Sequence, residues 1–253
     1  MALLELKNAT IKFGGLVAVK DLSFSVTEGE LFGLIGPNGA GKTTVFNLIT
    51  GVYAPTSGDI LLGGKPIQGR PPHKIAYAGV ARTFQNIRLF TGMSVIENVM
   101  VSNHMHCRVG LLASIFRSAA WLSKEKEYRD EALRLLELFQ LDKLADEEAA
   151  NLPYDSQRRL EIARALATGP RLLLLDEPAA GMNPQESADL MRLIRRLRDE
   201  FKVTILLVEH NMKVVMGVCE RIQVLVHGEG IAVGDPLAIR NDPAVIDAYL
   251  GKE

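Results

Sequence analysis

Gly36-Pro37-Asn38-Gly39-Ala40-Gly41-Lys42-Thr43-Thr44 follows the pattern Gly, four residues, Gly, Lys, Ser or Thr, which is a phosphate-binding loop. Glycines at 36, 39 and 41 let successive backbone N–H groups, those of Asn38 and Ala40 included, face inward without a Cβ in the way. The N-terminus of a following helix adds about half a positive charge, so the loop can wrap a polyphosphate. Lys42 would reach the β- and γ-phosphates, and the hydroxyl of Thr43, followed by Thr44, would ligate Mg²⁺.

Far along the chain, Arg171-Leu172-Leu173-Leu174-Leu175-Asp176-Glu177 is an apolar run that ends in two carboxylates. A buried strand has little structural use for such a pair. Beside a phosphate loop, Asp176 would orient hydrated Mg²⁺ and Glu177 would point toward an attacking water. His210 closes a third apolar run, Val203 to Val208, where open α/β sheets bind ligands. Gln85, after Val80-Ala81-Arg82-Thr83-Phe84, could place its carbonyl on the metal; taken alone it also fits an exposed loop residue. Phe13 can stack on a purine, and equally fits a strand core.

The elements that must position these groups are readable from apolar runs. Leu31 to Ile35 is a short buried strand ahead of the loop, and Val45, Phe46 and Ile49 recur at helical spacing until Gly51. Leu3–Leu6 and Leu22–Val26 read as half-buried strands joined through Gly14-Gly15, and Asp59 to Lys65 as a strand running into a tight turn. Pro71-Pro72 predicts a stiff connection, and Val80 to Gln85 a second buried strand. From Ser94 to Asp146 the pattern is helical, with Tyr128, Ala132, Leu135 and Phe139 forming one apolar stripe. Leu111, Leu112, Ile115, Phe116, Ala119 and Trp121 form a second apolar segment, either a cap on this helical part or a face for a membrane-bound partner. Asp155 and Ser156 are good N-caps for a helix through Leu166. Pro184 opens another with Leu190, Ile194 and Leu197 inward, Leu225 to Val233 reads as a hairpin, and Asp242 to Tyr249 as a final helix.

With 253 residues the chain can bury about 70–75% of its unfolded surface, as one large domain or a core plus a subdomain. The 29 basic and 30 acidic residues give a net charge of −1, and no lysine or arginine run marks a nucleic-acid face. Cys107 and Cys219 lack metal or redox spacing, which points to two ordinary thiols in a reducing compartment. Glu5 and Lys7 come too early for a signal peptide, and no apolar run approaches the ~18 residues of a membrane span.

Taken in order, Phe13, the loop 36–44, Gln85, the segment 152–157, Asp176-Glu177 and His210 resemble an ATP-binding-cassette ATPase over nearly the whole chain. Arg82-Thr83-Phe84-Gln85, the long insert around 105–125, Arg158 to Ala165 and Glu177 to Pro184 look more narrowly like the ATP-binding subunit of bacterial branched-chain amino acid importers. The resemblance implies an α/β fold. Its P-loop NTPase (RecA-like) core would span 1–92 and 166–253, with an N-terminal antiparallel β patch and an inserted helical subdomain at 93–165.

It also implies roles. Phe13 would stack on adenine, Lys42 and Thr43 hold phosphate and metal, and Gln85 sense Mg²⁺ in the lid loop against the membrane subunit. Glu177 would be the general base and His210 the histidine on the γ-phosphate. Such subunits pair head to tail, as a homodimer or with a related ATPase subunit, beneath transmembrane permeases on the cytoplasmic face of the inner membrane. Each ATP then lies between one phosphate loop and the partner's signature segment, here Tyr154, Asp155 and Ser156. Lipopolysaccharide export is the alternative within transport, and a nucleotide-binding module with little turnover the alternative outside it. A soluble ATPase acting on nucleic acid would need paired cassettes, a long coiled coil or a basic face, and the sequence carries none of these.

One departure from the family pattern stands out. The signature runs Leu-Ser-Gly-Gly-Gln, with Tyr third in this branch, whereas this chain reads Leu152-Pro153-Tyr154-Asp155-Ser156. A carboxylate where glycine stands would fill the anion site at a helix N-terminus and repel the incoming phosphate. Unit charges about 4 Å apart near a surface interact by up to ~4 kcal/mol before screening. The expectation is therefore weakened pairing and hydrolysis, unless the carboxylate turns away or meets an arginine.

Overall fold

The computed structural model describes residues 1–103 and 119–250. Two compact units emerge, one of residues 1–85 with 171–253 and one of 86–170.

The first unit opens with β1 (Ala2–Phe13) and β2 (Leu16–Thr27), antiparallel, with Phe13 opposite Leu16 across the Gly14-Gly15 turn. Both strands run well beyond the Leu3–Leu6 and Leu22–Val26 expected from the sequence. The reason is a pair of irregularities: Asn8 and Asp21 take positive φ values of 48° and 46°, and the register shifts between Leu6 and Ala9. Each shift breaks the alternation by which strands are recognised, while Ile11 and Val19 beyond it remain buried. Next come β3 (Leu31–Ile35), α1 (Lys42–Ile49), β4 (Ser57–Leu62) and β5 (Lys65–Pro66). Strands β2, β1, β4 and β5, in that order, make the antiparallel patch.

A helix, α2 (Pro72–Tyr77), replaces the stiff connection expected at Pro71-Pro72: Pro71 is the N-cap and Pro72 the first residue, where a missing N–H costs nothing. Strand β6 covers only Val80–Arg82, and the Thr83 N–H makes the last bond to β7, at the Leu174 carbonyl, 2.9 Å.

The larger sheet is completed by β7 (Leu172–Asp176), β8 (Thr204–Val208), β9 (Arg221–Val226) and β10 (Glu229–Gly234), in the order β10-β9-β3-β8-β7-β6. All its pairings are parallel except that of β9 with β10. Every residue of β3, β7 and β8 is buried, which is why these strands read as unbroken apolar runs. Register does the functional work. Leu34 pairs with Val208 and Val208 with Asp176, so the phosphate loop, the carboxylate pair and His210 all leave the sheet at one edge.

In the second unit, α3 (Val95–Asn103), α4 (Ala119–Leu138) and α5 (Tyr154–Leu166) share a core that includes Val99, Ala132, Leu136 and Phe139. The buried line of α4 passes through Leu136 rather than Leu135, and Tyr128 is half-buried. Inside this core Arg158 and Glu161 form an ion pair at 3.1 Å with both side chains 1% exposed. Helix α5 is capped by Pro153 without a side-chain bond, so Asp155 and Ser156 sit inside its first turn rather than capping it. Cys107, Leu111, Leu112, Ile115 and Phe116 lie outside the described residues, as do the side chains of Ala119 and Trp121.

Back in the first unit, α6 (Pro184–Phe201) starts with a reciprocal capping box between Asn183 and Glu186 and buries Leu190, Ile194 and Leu197. Three short helices follow: α7 (Met212–Val218), α8 (Pro236–Asn241) and α9 (Pro243–Leu250). The first two escaped the sequence reading because so few turns show no period. Cys219 is buried beside this region, and burial pushes its thiol up to about 12, so it behaves as a small core residue. Among the described residues no helix is long and apolar enough to cross a membrane.

Candidate functional site

The phosphate loop is pressed from behind by other backbone. A Cβ on Gly36 would lie 2.0 Å from the Leu225 carbonyl oxygen, and one on Gly41, at φ 103°, would lie 2.7 Å from that of Ala18. Only glycine fits either position. Lys42 follows, 6% exposed, donating to the carbonyls of Gly36 at 2.7 Å and Pro37 at 2.9 Å. Burial lowers its pKa, opposed by the nearby charges of Glu177 and Asp176.

Across from the loop stands Glu177. Its backbone takes a left-handed φ of 48° just past the end of β7, with its N–H bonded to the Val208 carbonyl at 2.8 Å. This conformation is uncommon for a side-chain-bearing residue and aims the carboxylate away from the strand direction. One carboxylate oxygen accepts from Gln85 Nε2 at 2.8 Å, and the other lies 2.5 Å from His210 Nε2. Residues 38–44, Gln85, Glu177 and His210 together line a cleft of about 680 Å³. Such a cleft has amides and an ammonium on one wall and a positioned carboxylate on the other.

The family described as ABC transporter matches residues 19–180, and that described as branched-chain amino acid ATP-binding cassette transporter matches residues 231–253. The high-affinity branched-chain amino acid transport ATP-binding protein BraF of Pseudomonas aeruginosa is 50% identical over 99% of this chain and 98% of its own. The chain is an ATP-binding cassette of the ABC transporter family. Among solved structures, the ADP conformation of MJ1267, an ATP-binding cassette of an ABC transporter, is similar at a TM-score of 0.86 and 31% identity, with full coverage of both chains. A dimeric post-hydrolysis state of the cassette MJ0796 bound to ADP and Pi is similar at 0.78 and 26% identity, over 92% of this chain and 98% of that one.

Within the cassette, Asp176 does not line the cleft. Its side chain, 5% exposed, accepts from Arg82 at 2.8 Å, and its N–H bonds Thr83 Oγ1 at 3.3 Å. Arg82 also donates to Asn47 of α1 at 2.7 Å, and its guanidinium lies 5.3 Å from the Phe46 ring and 5.1 Å from the Phe84 ring. In the sequence Arg82 stands out only as part of a family-like string, and nothing in its spacing reveals a partner in α1 and another in β7.

Phe13 is 42% exposed and meets the edge of Tyr53 at 5.1 Å, so it is no core residue, and Tyr53 was not foreseen. Residues 152–157, the segment expected to face a partner, belong to the second unit. There Tyr154 is exposed, Ser156 half-buried, and the Asp155 carboxylate lies 3.7 Å from Arg159. The Asp155 carboxylate therefore has an arginine within ion-pair distance on its own helix.

Proposed function

We propose that the cleft holds ATP with Mg²⁺, and that this cassette energises import of branched-chain amino acids through transmembrane permease subunits at the cytoplasmic face of the inner membrane. The observation that carries the catalytic part is Glu177, held between Gln85 and His210 opposite the phosphate loop. Water attacks the γ-phosphorus in line, Glu177 takes its proton, and the bond from phosphorus to the β–γ bridging oxygen breaks. Lys42 and His210 stabilise the charge that develops on the phosphoryl oxygens. Thr43 and Gln85 line the cleft and would offer hard oxygen donors to Mg²⁺, an ion that keeps most of its waters and leans on few protein ligands, whereas Asp176, engaged by Arg82 outside the cleft lining, would lend its charge rather than a direct bond. Bound Mg²⁺ would neutralise phosphate charge. Exposed Phe13 would stack on the adenine.

Replacing Lys42 by alanine is expected to weaken ATP binding by about tenfold to a hundredfold, the worth of a charge-assisted bond to phosphate. Titration calorimetry reads this, and unchanged affinity would remove the ATP site from this cleft. The import reading rests on the identity to BraF and on the match at 231–253, both of which favour it over lipopolysaccharide export. Its test is ATP-driven uptake of leucine into vesicles carrying the cassette with its permease subunits, lost when Glu177 becomes glutamine.

Pairing of two such cassettes is supported by the dimeric relative, and residues 154–156 are the segment expected to face the partner's nucleotide. Arg159 offsets part of the Asp155 charge, but both side chains are partly exposed, so the offset is screened and incomplete. Asp155→Gly is accordingly expected to raise steady-state ATPase about threefold to tenfold, from a residual repulsion near 1 kcal/mol. Equal rates would show that Arg159 neutralises the position fully.

A further inference from the structure

One buried carboxylate beside the loops that carry Glu177 and His210 is not used by the reaction above. Glu209 is 3% exposed, and among the described residues its carboxylate is satisfied by backbone amides rather than by a cation. One oxygen accepts from the N–H of Ala179 at 2.6 Å. The other accepts from the N–H groups of His210 at 2.9 Å and Asn211 at 3.0 Å. These donors belong to two loops, the one that follows Glu177 and the one that carries His210. We infer that Glu209 is a positioning residue that clasps these two loops together and sets the Glu177 carboxylate opposite the His210 ring.

The geometry supports the assignment from both sides. Glu177 sits in a left-handed conformation, φ 48°, which persists only where its surroundings over-determine it. Two bonds from the end of β8 supply that constraint: the Val208 carbonyl on the Glu177 N–H and the Glu209 carboxylate on the Ala179 N–H. The Ala180 N–H closes the turn on the Glu177 carbonyl at 3.2 Å. On the other side, two amides gathered on one oxygen turn the chain sharply at His210, bringing its Nε2 within 2.5 Å of Glu177. An ionised carboxylate facing only donors makes strong bonds at every contact. Glutamine at 209 would keep one acceptor and turn an NH₂ toward an amide N–H, so one loop would lose its hold.

The inference rests on Glu177 and His210 acting in hydrolysis, and the test separates the two claims. Steady-state kinetics of Glu209→Gln should show kcat down about tenfold to a hundredfold, as expected for displacement of a catalytic group by about 1 Å, with KM for ATP within twofold. Glu209→Asp should recover less than half of the loss. Hydrogen exchange in the unmodified chain should show slow amides at Ala179, His210 and Asn211, and in Glu209→Gln faster exchange on at least one loop. Full kcat in Glu209→Gln, or an Ala179 amide that exchanges freely in the unmodified chain, would overturn the clasp. If Glu177→Gln keeps full turnover while the three amides are protected, the clasp stands and the catalytic reading falls.

Discussion

Glu177→Gln is expected to lower steady-state ATP hydrolysis by about 10²–10⁴-fold, the usual contribution of a positioned general base. Glutamine keeps the size of the side chain and an oxygen to accept from Gln85 Nε2, the bond now seen at 2.8 Å. What it lacks is a site for the proton of the attacking water. The loop amides and Lys42 are untouched, so ATP should bind with affinity within a few fold of the unmodified chain. Binding without turnover should let ATP-loaded pairs accumulate, visible as a shift from monomer to dimer by light scattering on a sizing column. Hydrolysis within a factor of three of the unmodified rate would assign the base elsewhere.

Arg82→Leu is expected to destabilise the chain by about 3–5 kcal/mol, because it removes one member of a buried ion pair and leaves the other uncompensated. Asp176 and Arg82 are 5% and 8% exposed at their side chains, so water cannot take over the solvation that is lost. The same change frees Asn47 of its bond to the guanidinium and strips one face from Phe46 and Phe84. For a chain of this size the melting temperature should fall by about 6–20 °C. Arg82→Lys should lie between the two, since an ammonium carries the charge but lacks the planar fork that reaches Asn47 and Asp176 together. A melting temperature within 2 °C of the unmodified chain would mean that the pair adds nothing to the fold.

What could be read from the sequence is what lies in unbroken runs. The loop 36–44 is a contiguous pattern flanked by a strand and a helix, and β7 and β8 announce themselves by apolar residues that end in polar ones. Parallel pairing then fixes where their ends go. The supports of the site were not readable in the same way. Arg82 meets Asp176 across 94 positions and Asn47 across 35, and Glu209 reaches Ala179 across 30. No spacing rule joins such residues; only the sheet order brings them together. Local irregularity hid the rest: the bulges at Asn8 and Asp21 cut β1 and β2 short on paper, and Pro153 took the capping place that Asp155 had been given.

Lys42 rests on the carbonyls of Gly36 and Pro37. Folding has therefore already stripped most water from its ammonium, and a triphosphate entering the loop exchanges one set of oxygens for another instead of drying a cation afresh.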